Sequence, residues 1–491
     1  MTLILRLSRI VRLAALSCAG LLLLNGCSFF RHDPGEVAII NPQQAELSSV
    51  IHLADSGWPQ SRWWEKYHDP QLNMLIREAL QNSPTVQAVR LQVAQSQANI
   101  DLAHSVSGLQ ATAVAAQNRL RTSQRSFTWP YSFSLPENKS GPWYTLNTVG
   151  VGASMNVDLW GEDKARVAAA IGEKNARLAE TAATEQAVAA NIAQLYFSMQ
   201  TSWQRIALLK QQEAISRFSV EAHQERVARG LEDEVALASA HSELLSAQQQ
   251  LLSAETDLAS ARETLRALMG AGSGSASLAS LHPRPWPLHQ QGLPRELSYQ
   301  LLSRRPDLQA LRGYVLASLS RVEAAKMAFY PHFDIKAFWG YNALSVGDLF
   351  KYSFQQINIL PGLYLPLFNG GALNAHLQSA RTASNVLIKQ YNQAVLDAVR
   401  DVAVSSQQLD SLNQQLSMQQ QKVAAAQVEA DSAQAHYRRG LLSLYASREA
   451  QRTALSQQLL FTDMRMQQMT TDISLIQALG GGYQSPLQPL H

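Results

Sequence analysis

The chain repeats itself. Ser83-Pro84-Thr85-Val86-Gln87-Ala88-Val89-Arg90 matches Arg305-Pro306-Asp307-Leu308-Gln309-Ala310-Leu311-Arg312 at an offset of 222 residues, and Arg229-Gly230-Leu231 matches Arg439-Gly440-Leu441 at an offset of 210. An apolar–Gly step closes each half, Met269-Gly270 and Leu479-Gly480, again 210 residues apart. The difference of twelve residues has a location: the aromatic, Pro-rich loop at about Arg121 to Tyr144 is longer than its counterpart at about Ala343 to Phe354. With a duplication of this extent, whatever one half folds into the other must repeat. The halves are joined by a Gly/Ser-rich and then Pro/His-rich stretch, about Ala271 to Pro294, which reads as an irregular linker.

Within each half, two alternating stretches lie among long helical ones. Val149, Val151, Ala153, Met155, Val157 and Leu159 share one face of a strand whose other face is Thr148, Gly150, Gly152, Ser154, Asn156 and Asp158. His332 to Tyr341 repeats the pattern with Phe333, Ile335, Ala337, Trp339 and Tyr341. Ile357, Ile359, Leu363, Leu365 and Leu367 make a third face, and Leu109, Ala111 and Ala113 a weaker fourth. The expectation is four strands of membrane-barrel length, at about 109–120, 148–160, 332–342 and 356–368. Between them run Ala/Gln/Ser/Leu-rich stretches almost free of Gly and Pro, Lys164 to Arg229, Leu231 to Met269, Ala372 to Arg439 and Leu441 to Leu479. At 1.5 Å per residue the longer pieces would reach about 100 Å, and their small residues suit coiled-coil packing. No apolar run beyond the leader is long enough to span a bilayer as a helix, so any crossing falls to the strands. Four strands cannot close a barrel, and lipid does not tolerate an open edge. The fold class expected is therefore mainly α with membrane β, closed by self-association. Two chains would give eight strands and three would give twelve.

The N-terminus carries a different signal. Arg6, Arg9 and Arg12 precede the uncharged apolar run Leu13 to Leu24, the pattern of a signal peptide. The run ends in Leu24-Asn25-Gly26-Cys27, which resembles the bacterial lipoprotein box, so Cys27 is the expected lipid-bearing first residue after cleavage. Ser28 follows it where Asp does not, which by resemblance to enteric lipoproteins favours sorting to the outer membrane. Cys18 leaves with the leader. The organisation expected is signal peptide 1–26, lipidated N-terminal segment 27–70, first repeat 71–270, linker 271–296, second repeat 297–480 and C-terminal tail 481–491.

Charge and motif content exclude several function classes. Loss of the three leader arginines takes the formal charge from +3 to about zero, a poor basis for nucleic-acid binding. Two cysteines, one of them in the leader, offer neither a disulfide framework nor a thiolate metal site. Gly270-Ala271-Gly272-Ser273-Gly274 follows a helix and lacks the Gly-Lys-Ser/Thr ending of a phosphate loop. His223 with Glu225, and His241 with Glu243, are i,i+2 pairs that do not share a helical face. No zinc-protease or hydrolase motif occurs. The expectation is no enzyme, no metal and no cofactor.

Five motifs stand out together: Trp63-Trp64 with Asp69-Pro70-Gln71-Leu72 and Leu75; Asp158-Leu159-Trp160-Gly161; Arg304-Arg305-Pro306-Asp307-Leu308; Phe329-Tyr330-Pro331; and Leu365-Pro366-Leu367-Phe368-Asn369-Gly370-Gly371. With the duplicated architecture, this set resembles the TolC-type outer-membrane factors, in the lipoprotein (NodT/OprM-like) branch that serves multidrug efflux pumps. The resemblance covers both halves, from about residue 58 to 483. It implies a homotrimer with a twelve-stranded outer-membrane barrel continued by a helical periplasmic tunnel. It further implies docking to a periplasmic membrane-fusion adaptor protein and an inner-membrane efflux pump. A protein-export channel of the same family is the alternative, and a non-channel envelope scaffold lipoprotein a more remote one. By the same resemblance, Arg229, Gly230 and Leu231, with Arg439, Gly440 and Leu441, form the periplasmic tip. Tyr437 matches a residue that holds the tip closed, and two acidic constriction positions fall on Ala446 and Glu449, of which only Glu449 is acidic. The arginine partner expected for the tyrosine falls on Leu442. Trp160, Trp339 and Tyr341 are candidates for an aromatic girdle at the lipid boundary or for junction packing. Trp129, Tyr131, Phe133 and Trp143 are expected in the long first loop.

Overall fold

The computed structural model describes residues 33–40, 58–121, 143–272, 275–284 and 304–484. The leader, Cys27 and the loop aromatics Trp129, Tyr131 and Phe133 lie outside these residues. A short helix, α1 (Pro70–Asn82), opens the first half. It is followed by α2 (Pro84–Val106), β1 (Gln110–Arg121), β2 (Trp143–Val157), α3 (Glu162–Ala228) and α4 (Glu234–Leu268). The second half repeats the series as α5 (Pro306–Met327), β3 (His332–Ala343), β4 (Gln355–Tyr364), α6 (Ala372–Arg438) and α7 (Leu444–Ala478). α3 and α6 each have 67 residues, and α4 and α7 each have 35.

The repeated landmarks are two sides of one contact. A Cβ on Gly270 would lie 2.8 Å from the Asn82 carbonyl oxygen and from Pro84, and Gly480 backs in the same way onto the Arg304 carbonyl. Each glycine has positive φ, +66° and +89°. The closing Gly and the opening X-Pro step therefore recur together because each half needs both for the end of its last helix to approach the start of its first.

Chain contacts divide the molecule into two units. The first combines Gln95–Lys174, Tyr314–Ile388 and the N-terminal residues up to Val37, and contains the sheet. Its strands pair antiparallel in the order β1-β2-β3-β4. Rows such as Ala113↔Val151↔Trp339↔Ile357 and Ala111↔Ala153↔Ala337↔Ile359 run across all four strands, and side-chain alternation puts them on one face. That face is apolar over most of its length and exposed at Val151, Trp339, Ile357, Ile359 and Leu363, and turns polar only towards one end, at Gln117, Asn147 and Gln355. The opposite face carries Thr112, Ser154, Asn156, Asp334, Lys336, Gln356 and Asn358. Among the described residues β1 and β4 each pair along one edge only. A small core, Val322, Ala325, Phe329 and Leu377, packs α5 against α6.

Three strand ends differ from the sequence expectation. β2 begins at Trp143, which pairs with Arg121 and lies beneath the Arg119 and Arg121 guanidiniums at 5.6 and 6.0 Å, so Trp143 is in the sheet and not in the loop. β2 ends at Val157 because Asp158 turns to cap α3, accepting from the amides of Gly161 and Glu162 at 2.8 Å and of Lys164 at 3.0 Å. β4 ends at Tyr364, leaving Leu365 and Leu367 outside it, with Pro366 unable to supply a ladder donor. Pro361 lies inside β4 opposite Ile335, where its missing N–H removes one possible ladder donor. Trp160 belongs to the strand–helix junction: Nε1 donates to the Pro331 carbonyl at 2.8 Å and the ring stacks on Tyr330 at 5.3 Å.

The second unit combines Ala38–Ala94, Asn175–Gly313 and Lys389–His491. Its core joins Trp63, Tyr67, Leu72, Leu75 and Ile76 to Ile192, Tyr196 and Phe197 of α3, Leu265 of α4 and Ile473 of α7. Two buried acids staple it. Asp69 caps α1 by accepting from Gln71 N at 2.8 Å and also accepts from Tyr196 Oη at 2.5 Å. Burial, with Asp69 alongside, holds the Tyr196 phenol far above its usual range. Asp472 on α7, 1% exposed, accepts from Tyr67 Oη at 2.7 Å and Lys66 Nζ at 2.9 Å. Desolvation pulls Lys66 below its ordinary value and pushes Tyr67 up.

The long helices pack by regular seams. Along α6, Ile388, Val395, Val402, Leu409 and Leu416 are buried at seven-residue intervals, and along α4 the buried positions Ala240, Ala247, Ala254 and Ala261 do the same. A strict seven-residue repeat is a coiled-coil seam, and alanine at every step lets the neighbouring backbone come close.

Candidate functional site

Two turns, α3 to α4 and α6 to α7, are built alike. Gly230 and Gly440 take φ of +67° and +74°. In the first, the Gly230 amide donates to Val227 O and the Leu231 amide to Arg226 O, both at 2.9 Å; in the second, Gly440 donates to Tyr437 O and Leu441 to His436 O at the same length. This is the double bond of a Schellman closure, and nothing lies within 4 Å of where either glycine's Cβ would be, so glycine is required here for φ alone. The returning helices start on side-chain caps, Asp233 accepting from Ala236 N at 3.1 Å and Ser443 from Ala446 N at 3.2 Å.

The turns expose apolar and cationic groups side by side. Leu231 is 68% and Leu441 69% exposed, and Val235, Leu442 and Tyr437 are exposed beside them. Arg229 extends into solvent with Glu225 at 3.5 Å, and Arg438 and Arg439 are exposed. Exposed leucine next to arginine is the composition of a surface that buries itself against a partner.

Behind the turns, side chains tie the first helical hairpin to the second. His223 on α3 meets Glu232 at 2.6 Å (Nδ1 to Oε2) and Arg226 approaches the same carboxylate at 3.7 Å. The His223 ring stands edge-on to Tyr445 in the first turn of α7, with centroids 5.3 Å apart. Further along, Arg452 on α7 pairs with Glu449 one turn earlier and reaches Glu243 on α4 at 3.2 Å. The hydrogen bond to Glu449 raises the Arg452 pKa, with both carboxylates adding to it. Glu449 is thus half of an ion pair, whereas Tyr437 is 40% exposed on the last turn of α6. As the i,i+2 spacing implies, Glu225 is not the carboxylate that meets His223. The actual partner lies nine residues on, across the turn, a pairing that no helical periodicity signals.

A tandem-duplicated chain with a one-sidedly apolar four-stranded sheet, continued by paired long helices that end in exposed turns, is the protomer of an outer-membrane channel. The chain belongs to the outer membrane efflux protein family, whose profile matches residues 75–271 and 297–481. It is 43% identical over 464 residues to the multidrug resistance outer membrane protein MdtP of Escherichia coli (strain K12), covering 94% of this chain and 95% of that one. It is 34% identical over 478 residues to the putative multidrug resistance outer membrane protein MdtQ of Shigella flexneri, covering 96% and 98%. The fold is similar to that of the Campylobacter jejuni CmeC outer membrane channel, with TM-score 0.78 at 20% identity over 93% and 95% of the chains. It is also similar to that of the Vibrio cholerae outer membrane protein VceC, with TM-score 0.74 at 27% identity over 87% and 100%. The family is one of channels and not of enzymes.

Proposed function

We propose that this chain is the outer-membrane exit duct of a tripartite multidrug efflux system. It passively conducts small toxic compounds that an inner-membrane efflux pump delivers through a periplasmic membrane-fusion adaptor. The observation that carries the reading is the sheet: four antiparallel strands, one face apolar over most of its length and the other largely polar, with an edge of β1 and of β4 that no strand pairs among the described residues. Among the described residues no helix is long and apolar enough to cross a membrane. Open edges in lipid demand closure by further copies. Three copies give twelve strands and an aqueous lumen where two would give a filled interior, which favours a homotrimer. Cys27 carries the lipid that anchors the chain in the outer membrane, with the long helices in the periplasm.

The two turns are the periplasmic tip, and Arg229, Gly230, Leu231, Arg439, Gly440 and Leu441 are its adaptor contacts. Tyr437 and Glu449 stand near the constriction, with Glu449 acting through Arg452. The contact of His223 with Tyr445 and that of Arg452 with Glu243 hold the two hairpins together when the tip is closed. The test is electrophoresis of detergent-extracted protein with and without heating, followed by planar-bilayer recording. A heat-modifiable trimer that conducts ions is expected, together with restored drug tolerance in a strain lacking its own duct. A stable monomer without conductance would overturn the reading.

A further inference from the structure

The apolar face of the sheet has a definite height. From the row Val157↔Phe333↔Leu363 to the row Ala115↔Val149↔Tyr341↔Gln355 it covers about 27 Å of strand, or about 21 Å upright at the tilt of a membrane barrel. That is close to the apolar band of such barrels, about 25 Å. Trp339 and Tyr341, with Phe350 packed on Tyr341 at 5.7 Å between centroids, mark one border, and aromatic rings belong at such a border. All four connections to long helices leave from the other border: α2 ends before β1 begins there, α3 follows the end of β2, α5 precedes the start of β3 and α6 follows the end of β4. The aromatic border is therefore the one away from the helices, and with the helices in the periplasm it meets the outer leaflet.

Past that border β1 and β2 run on, and the same face carries Gln117↔Asn147, Arg119↔Thr145 and Arg121↔Trp143. Arg119 and Arg121 are exposed, and their guanidiniums lie 5.6 and 6.0 Å from the centroid of the one Trp143 ring. Among the described residues neither arginine forms an ion pair. Two like charges drawn onto one ring repel each other, and the ring offsets only part of that. A ring of copies brings β4 of a neighbour beside β1, but the single carboxylate of the β3–β4 connection, Asp348, is already taken by Lys351. The pair thus lacks an anion. Arginine on a lipid-facing surface is costly at mid-bilayer and tolerated at headgroup depth, which fits an anion supplied by lipid. Height narrows the choice: the same tilt puts the Arg119 and Arg121 backbones about 10 and 16 Å beyond the last apolar row. The polar layer of a simple phospholipid bilayer is only about 5–8 Å deep on each side. A phosphate borne on glycerol falls short of that height, whereas one carried outward on a sugar headgroup reaches it and can take both guanidinium forks.

We infer that Arg119 and Arg121, seated on Trp143, form a binding site for the phosphate-bearing sugar headgroup of an outer-leaflet glycolipid. The inference rests on the proposed membrane position of the sheet. Its test uses delipidated trimer in detergent, with bound lipid counted by native mass spectrometry. Three probes are titrated: a glycolipid phosphorylated on its sugar headgroup, the same glycolipid after phosphatase treatment, and phosphatidylglycerol. The unaltered chain should bind the first about tenfold or more tightly than either of the others, and Arg119→Gln with Arg121→Gln should abolish that preference. Lys336→Gln, which removes a cation from the opposite face, should keep it. The comparison of lipids needs no variant, so it decides the matter even where the arginine variant assembles poorly. Equal binding of the three lipids, or an undiminished preference in the arginine variant, overturns the site. Displacement of the glycolipid by excess inorganic phosphate overturns the lipid as its ligand. A heat-modifiable trimer without the preference removes this site alone, whereas failure of the unaltered chain to form such a trimer removes the membrane reading with it.

Discussion

His223 and Tyr445, 222 residues apart in sequence, meet ring edge to ring face at 5.3 Å and so join the first helical hairpin to the second just behind the turns. An aromatic pair of this geometry contributes about 0.5–1.5 kcal/mol beyond its buried area. Tyr445→Ala should raise the open fraction in planar bilayers by about 2- to 10-fold, the same energy expressed as an equilibrium. Trimer yield should be unchanged, and Tyr445→Phe, which keeps the ring but loses the 3.4 Å contact of the hydroxyl with His223 Nε2, should fall between the parent channel and Tyr445→Ala.

Gly440→Pro removes the amide that donates to Tyr437 O and forces φ negative where the turn needs +74°. Trimers should still assemble, because the sheet and the core around Tyr196 lie elsewhere. Binding of a purified adaptor should fall, as should drug tolerance in a pump-dependent strain; unchanged tolerance would count against the tip assignment. Gly440→Ala keeps the amide and should cost only about 1–2 kcal/mol of turn stability.

Asp472→Ala strands the buried Lys66 ammonium and the Tyr67 hydroxyl that now meet it at 2.9 and 2.7 Å. Thermal unfolding should show a loss of about 3–5 kcal/mol, the usual result of removing one partner of a buried ion pair. Adding Lys66→Met and Tyr67→Phe should regain most of that loss, since no polar group is then left unpaired.

The hydrogen bond from Arg381 holds the Asp33 carboxyl down at about 2, against an ordinary value of 3.8. A depressed carboxyl stabilises the stretch Asp33–Ile40 fully above the unfolded value, and that contribution is lost as pH falls through about 2. Protease cleavage within Asp33–Ile40 should therefore stay slow at pH 5 and accelerate only towards pH 2. In Arg381→Met that stretch should be cleaved readily at pH 5, which a shift measured by peptide mapping would register.

Much of this fold is legible in the residues. The alternation in Thr148 to Val157 and in His332 to Tyr341 announces strands with one apolar face, and the near absence of Gly and Pro between Lys164 and Arg229 announces a long helix. The turns are marked by Arg-Gly-Leu occurring twice. Strand ends are less legible, because pairing outlasts the hydrophobic pattern: Arg121 carries the ladder on to Trp143, and Pro366 stops β4 while apolar alternation continues through Leu367. Within the candidate site, the partner of His223 could not be read, since Glu232 reaches it only after the chain has turned. Asn385 and Asn392 look like solvated helix surface until the backbone from Gly35 to Ile40 is laid across them.

The matched helix lengths, 67 with 67 and 35 with 35, constrain how such a chain can change. Losing one residue from α3 would swing everything beyond it by about 100° and draw its turn back by about 1.5 Å, while the sister hairpin stayed put. Variation in length is therefore admissible only in pairs, one half answering the other, so the two copies inside a single gene are bound to evolve as one measure.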